Sequence, residues 1–391
     1  MFSYFSHNFQ TNSNQQIAQH IDKDNIKPFS ITEAITDPTD PSELQLPVME
    51  DDKEVHQKPK LSRSRRKLLQ LRREALKALD VPPGSHANFG AIPLRKNPDN
   101  KGIPLFVLPP FHPKNKPYIV INQTYKPCLP VSIFQIHSSN DPLYKELGKM
   151  IISLNQLAIN QQPITSNNYM LGGLMKSIGF RSGSDEGEST VVYGRKRNLA
   201  AAQIEDDNKG YMHLTQFDSF IDSRVKSLSL QVTKDNENQT NQENLPNCSP
   251  GEGLNHERVR PISFSNVIIT TEGFHSKIHK DDKDLNTWTY GLFAFIDKKT
   301  FQPVNSQFDP SNHGLSFPDF KFLIDFSRVH GIMEVLWKAS SICHQITEPP
   351  SALKNHPDIT HFECTFQMNK SFLERGNKIQ KLNPPEIGDD V

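Results

Sequence analysis

Between Asn266 and Met368 the chain is built from closely spaced apolar runs: Asn266–Thr271, Thr287–Phe295, Phe320–Phe326, Gly331–Trp337, Ser341–Ile346 and Phe362–Met368. Each is short, rich in β-branched and aromatic residues, and followed by turn-forming sequence, which is the pattern of β-strands rather than helices. So many strands in so short a span predict a closed or sandwiched antiparallel sheet. Helices upstream would pack on its outside, giving an α+β fold with a β-barrel-like core.

Elsewhere the chain is less apolar. Hydrophobic residues make up 35% of the 391, there are 29 prolines, and the mean hydropathy is -0.59. These values predict one globular part plus substantial disordered segments. Residues 1–57, rich in Asn, Gln, Asp and Pro, read as a disordered tail, and residues 376–391 as a C-terminal tail. Residues 58–80 form a basic amphipathic segment: KPKLSRSRRKLLQLRREALK carries nine Lys or Arg against one Glu, with leucines interspersed. It reads as a helix ending before Pro82-Pro83-Gly84. Such a helix can be a nuclear-import signal or a phosphate-contacting arm, or simply a solvated helix packed on its leucine side. Residues 81–164 form a pre-barrel region. Within it residues 84–115 look irregular, Pro117–Asn122 and Val131–Ile136 read as strands, and Leu143–Ile159 reads as a helix. A further helix is expected over Thr215–Leu228, a loop over Arg181–Glu188, and a polar insertion without a core pattern over residues 233–257.

Lys+Arg and Asp+Glu both total 44, so the chain as a whole offers no field for a polyanion, and any basic signal must be local. Four scattered cysteines without a C-x-x-C pair argue against a zinc ribbon or a disulfide scaffold. Neither a signal peptide nor a long apolar span is evident, so an intracellular, soluble protein is expected.

The chemistry-bearing candidate is His279-Lys280-Asp281. Two histidines and one carboxylate can hold iron(II) on one face and leave the other positions open. The H-x-D pattern also occurs at His20-Ile21-Asp22 and His356-Pro357-Asp358, with a glutamate variant at His361-Phe362-Glu363, so its frequency decides nothing. Position discriminates better. His20 lies in the tail, whereas His279 follows a strand-like run (VIITT) and has strand-like runs before a later histidine. Alternate strand residues share a face, so a strand-end H-x-D can send both ligands into a lumen. His313, His330, His344, His356 and His361 are candidates for the third ligand. His313 and His330 precede glycines and look like turn residues, while His344 lies in Ser341–Ile346 and suits a lumen-facing ligand.

Beyond these residues, a set of ordered blocks resembles the fungal Tet-like 2-oxoglutarate/Fe(II) oxygenase domain, a relative of the TET and J-binding-protein DNA-base oxygenases. The blocks are Leu174–Arg181, Ile268–Asp284, Thr289-Tyr290-Gly291, Ser316–Phe320, Ile324-Asp325-Phe326, Gly331–Lys338 and His344. The resemblance covers about residues 165–375 and implies a double-stranded β-helix (jelly-roll, cupin-like) core with flanking helices. It implies His279, Asp281 and His344 as iron ligands and 2-oxoglutarate as cosubstrate. It also implies an arginine after the distal histidine to pair with the cosubstrate carboxylate. In its place this chain has His361, which becomes the expected anchor, with Lys354 or Lys370 as substitutes. The implied substrate is a methylated nucleobase such as 5-methylcytosine, flipped out of DNA, with Phe274 and Trp288 as candidates to stack on it. That would put the protein in the nucleus with DNA as partner. A silent domain binding nucleic acid or a partner, or an oxygenase acting on protein or a small molecule, stands as the alternative.

Overall fold

The computed structural model describes residues 63–81, 89–94, 106–107, 117–122, 130–165, 168–182, 190–192, 194–243, 264, 266–285, 287–305, 308, 312–368 and 370. The two tails, the polar stretch 244–257 and Arg375 lie outside these residues.

In chain order the strands are β1 (Gly90–Leu94), β2 (Phe106–Val107), β3 (Tyr118–Asn122), β4 (Pro130–His137), β5 (Met170–Ser182), β6 (Thr190–Val192) and β7 (Asn266–Ser276). They continue as β8 (Thr289–Asp297), β9 (Pro303–Val304), β10 (Gly314–Phe317), β11 (Phe322–Asp325), β12 (Ile332–Trp337), β13 (Gln345–Ile346) and β14 (Ile359–Gln367). The helices are α1 (Arg63–Ala78), α2 (Pro142–Asn160), α3 (Ala201–Leu228), α4 (Leu230–Glu243) and the single turn α5 (Ser351–Lys354).

The strands form two sheets. The larger runs β1-β3-β4-β12-β8-β14-β7-β5-β6, with β9 beside β8, and the smaller runs β13-β10-β11-β2. From β7 onward the chain weaves between them: β7 in the large sheet, then His279 bridging to His344 beside β13, β8 in the large sheet, β10 and β11 in the small one, and finally β12, β13 and β14 alternately. This weave is a double-stranded β-helix. The central strands are buried on both faces, which is why they read as continuous apolar runs instead of alternating ones. Their two faces serve different cores. Phe293, Phe295, Met333, Val335, Trp337 and Ile359 meet Leu315, Phe317, Phe322 and Ile324 of the small sheet in the lumen. Leu292, Ala294, Ile332, Leu336, Phe362, Cys364 and Phe366 face outward onto the helices.

The helices follow their sequence signals. In α2, Asp141 accepts from Leu143 N at 2.9 Å and Pro142 sits in the first turn, a standard N-terminal cap. In α1, Leu71, Ala75 and Leu76 are buried on one side, and Asp80 closes the helix in the left-handed region (φ 50°). Three expectations are corrected. β1 and β2 lie in the stretch read as irregular, where proline interrupts the hydrophobic pattern. β5 runs through Arg181 and Ser182, taking the start of the expected loop. α4 is a helix over part of the expected 233–257 insertion; its apolar contribution to the core is little more than Val232, so it depends on polar burial at Thr233 and Asn236. Ser229 joins it to α3 and donates through Oγ to Leu79 O at 2.8 Å, tying the helix pair to the end of α1.

One outward-facing position of β12 is charged. Glu334 is fully buried between the sheet and α3. Arg224 of α3 donates to it twice, through Nε to Oε1 at 2.9 Å and Nη2 to Oε2 at 2.7 Å. The Tyr290 hydroxyl donates to Oε1, and His137 Nε2 meets Oε2. His137 Nδ1 in turn meets Asp141, the cap of α2, at 2.9 Å. A carboxylate offers about four lone-pair sites, and all are used. Burial alone would raise the Glu334 carboxyl, but Arg224 and His137 hold it far below the ordinary range. Burial would depress His137, yet Glu334 and Asp141 push it up to about 9.

Candidate metal centre

His279 and Asp281 leave the end of β7, and His344 enters β13. The two crossings are held together by backbone hydrogen bonds: His279 N to His344 O at 3.0 Å, His344 N to His279 O at 2.9 Å, and Asp281 N to Ala339 O at 3.0 Å. Main chain, not side chain, therefore sets the spacing of the three residues. Their donor atoms all lie within 4.8 Å of one another, a set that can hold a metal ion.

Ring orientation follows from local bonds. His279 Nδ1 lies 2.8 Å from Lys277 O, and His344 Nδ1 lies 3.1 Å from Ile342 O. A carbonyl only accepts, so each Nδ1 carries the proton and each Nε2 keeps a lone pair, the state a metal ligand needs. Both Nε2 atoms turn toward Asp281, one to Oδ1 and one to Oδ2, each at 3.5 Å. That is long for a hydrogen bond and leaves room for a cation between the three groups. Burial and the neighbouring His344 lower the His279 pKa. For His344, burial also opposes the charged form, but the Asp281 carboxylate outweighs it and the pKa rises. Tyr169 stacks on His279 (4.9 Å between centroids, 20°), and Trp337 meets His344 edge-on at 5.9 Å.

The close approach of β5 to this end of β7 requires glycine. At Gly173, φ is 78° and an added Cβ would lie 2.3 Å from the Phe274 backbone. Register shifts on both sides of Gly172 accompany it. Tyr169, stacked on His279, is exposed, as are Leu171 of β5 and Ile278, the residue before His279.

On β14, His361 and Glu363 lie on the same face as Ile359 and point into the lumen. Thr270 Oγ1 donates to Glu363 Oε2 at 3.0 Å. Burial raises the Glu363 carboxyl to about 7, against the opposing effects of Thr270 and His344. His361 is buried among Phe293, Phe295 and Phe326, stacking on Phe326 at 4.2 Å and 17°. Its Nε2 has no hydrogen-bond partner among the described residues. Burial and the neighbouring His313 hold its pKa well below the ordinary value, so its ring is neutral. Lys354 is exposed and paired with Glu348, and Lys370 is exposed. Of the three residues considered for the anchor, only His361 faces the lumen.

His313, read from the sequence as a turn residue, is placed differently by the structure. It is fully buried, not in a turn, and its ring lies 5.0 Å from that of His361. The following Gly314 serves close packing: a Cβ there would lie 1.9 Å from Ile324 O of the neighbouring strand. His330, by contrast, is exposed beside Gly331 (φ 138°), as a turn residue should be. Phe274 and Trp288 are both buried, and Lys338 lies over the Trp288 ring. Among the described residues no helix is long and apolar enough to cross a membrane.

No curated protein matches the chain. Among solved structures, it is similar to a Pseudomonas putida prolyl-4-hydroxylase (12% identity, TM-score 0.30, covering 61% of this chain and 93% of that one). It is also similar to the full-length Neurospora crassa T7H in complex with alpha-KG (11% identity, TM-score 0.25, covering 64% and 75%). Both scores fall below 0.5, and neither likeness bears on the function proposed below. Residues 141–349, more than half the chain and including all three candidate ligands, match the family described as the Tet-like 2OG-Fe(II) oxygenase superfamily, and the protein belongs to it as an iron(II)- and 2-oxoglutarate-dependent dioxygenase.

Proposed function

We propose that this dioxygenase holds iron through His279, Asp281 and His344 and oxidises a methylated nucleobase in DNA, 5-methylcytosine or a base like it. The observation that carries the ligand assignment is the pair of Nδ1–carbonyl bonds, which leave two imidazole lone pairs and one carboxylate converging on a single point. The residues fit the cosubstrate too, since His361 is a buried polar group whose Nε2 lacks a partner among the described residues on the lumen wall. When bound, iron and 2-oxoglutarate supply the oxidising chemistry: oxygen is consumed, 2-oxoglutarate leaves as succinate and carbon dioxide, and a C–H bond of the substrate is hydroxylated. The chain's own residues orient and shield. The backbone bridge fixes the ligands, and Phe293, Phe295, Val335 and Trp337 keep water out of the lumen.

Two features support a nucleobase. Tyr169, exposed and stacked on the candidate ligand His279, puts an aromatic surface beside the metal site, suited to a planar group lifted out of a duplex. In addition, α1 buries its leucine side while exposing Arg63, Arg66, Lys67, Arg73 and Lys77, so it is both a packed helix and a basic surface. That surface also fits nuclear import, the basis for a nuclear location. Replacing Arg63, Arg66, Lys67 and Arg73 together with Gln is expected to weaken DNA binding. The slope of log affinity against log salt should become shallower by about 0.9 for each phosphate no longer neutralised. Unchanged affinity and slope would rule this helix out as the DNA-binding surface.

An oxygenase acting on a protein or a small molecule is the second reading, and iron-dependent succinate formation with and without DNA separates the two. Formation that DNA does not stimulate would point to a protein or small-molecule substrate.

A further inference from the structure

We propose that a track of cations running from the metal site along β5, with Lys277 and Lys280 at one end and Lys176, Lys196 and Arg197 at the other, holds the phosphate backbone of the duplex that presents its base to the metal. This rests on the reading above that the substrate is a base in DNA, and it adds a surface separate from α1.

Backbone pairing lays the track out. Lys277 and Lys280 are exposed on either side of His279, and Lys277 N donates to Tyr169 O at 2.8 Å. From Tyr169 the chain enters β5 and runs to Lys176. There one antiparallel bridge joins Lys176 to Pro163, and another joins Gln161 to Arg195. Gln162 N donates to Gly194 O at 3.0 Å and Lys196 N to Asn160 O at 2.8 Å, so main chain pins residues 194–198 (GRKRN) beside β5. Arg195 serves the fold: it pairs with Asp207, donates to Asn208 Oδ1 at 2.7 Å and lies over the Tyr211 ring. Lys196 and Arg197, by contrast, are exposed.

These charges are left for a ligand. Acidic and basic side chains are equal in number over the whole chain, so the cluster does not follow from general basicity. None of the five cations forms an ion pair among the described residues, and the exposed carboxylates beside the track are Glu272 and Asp282. Lys176 is half-buried; burial and then the charge of Lys196 work against its ammonium, with Glu272 opposing them. Crowded like charges cost free energy in the free protein, and an arriving anion relieves that cost. The length of the track favours a regular polyanion. From Tyr169 to Lys176 the strand covers about 20 Å, which is about six phosphate steps along one DNA strand. A duplex lying across the metal site therefore meets both ends of the track at once.

The test is fluorescence anisotropy of the full chain with a labelled duplex carrying 5-methylcytosine, over a series of salt concentrations. Replacing the two exposed residues, Lys196→Gln with Arg197→Gln, should make the slope of log affinity against log salt shallower by about 1.8; adding Lys176→Gln should bring the change to about 2.7. Lys176→Arg with Lys196→Arg, which keeps the charge, should keep the wild-type slope. If wild type binds the duplex and the Gln variants match it in affinity and slope, the proposal is overturned and DNA contact is left to α1. A poly-glutamate chain that binds wild type more tightly than the duplex at matched salt, and loses that binding in the Gln variants, would overturn it in favour of an acidic protein partner. A wild type that binds no duplex would remove both the proposal and the reading beneath it.

Discussion

Arg224→Met is expected to destabilise the protein by about 3–5 kcal/mol, measured as a lower denaturation midpoint. The cause is the group left behind more than the hydrogen bonds removed. Glu334 would remain fully buried on the outer face of β12, with only His137 and Tyr290 to satisfy it. Because Glu334 touches α3 through Arg224 and the start of α2 through His137 and Asp141, its loss of balance loosens both helices from the sheet. Replacing the charged groups together with apolar residues of similar volume should cost much less, since no uncompensated charge remains. The same network sets a pH window. Glu334 is lowered from 4.5, so its contribution is present above that value and lost as the pH falls. His137 is raised from 6.5 to about 9, so its contribution is complete below 6.5 and lost as the pH climbs through 9. The network's stabilisation should therefore be greatest between about 4.5 and 6.5 and decline toward pH 9, and the decline should vanish in a His137→Gln variant.

Asp281→Ala is expected to lose stoichiometric iron binding, with affinity reduced by more than the ~10–100-fold typical of removing a group that only hydrogen-bonds to a ligand. The fold should survive. Asp281 is positioned by its backbone bond to Ala339, which alanine retains. Its carboxylate also raises its neighbours: Asp284 and Glu363 are both pushed up, by burial first and with Asp281 adding to it. Removing it relieves that repulsion, so the metal-free variant should unfold at or slightly above the wild-type midpoint. Added iron should raise the melting temperature of wild type and leave the variant unchanged. Stoichiometric iron retained in the variant would show that the ligand set is wrong.

The barrel strands were legible because β8, β12 and β14 are buried on both faces and so appear as unbroken apolar runs. α1 and α2 were legible from amphipathic spacing and, for α2, from the Asp-Pro cap. α4 was not, because its helicity rests on docking against α1 and α3 rather than on an apolar stripe. β1 and β2 owe their pairing to strands distant in sequence, which local pattern cannot reveal. At the site, strand context pointed to His279, Asp281 and His344, and the structure brings these side chains together. The surroundings of His361 were not readable. Its neighbours Phe293, Phe326 and His313 come from three separate elements, and His313 was disguised by a glycine whose role is packing against Ile324.

The most direct test is succinate formation from 2-oxoglutarate by wild type and Asp281→Ala, with and without iron(II), in the presence of DNA carrying 5-methylcytosine. Succinate that appears only with wild type and iron, matched by oxidised 5-methylcytosine, is the predicted result. A wild-type protein that binds iron and 2-oxoglutarate yet forms no succinate under any of these conditions would contradict it.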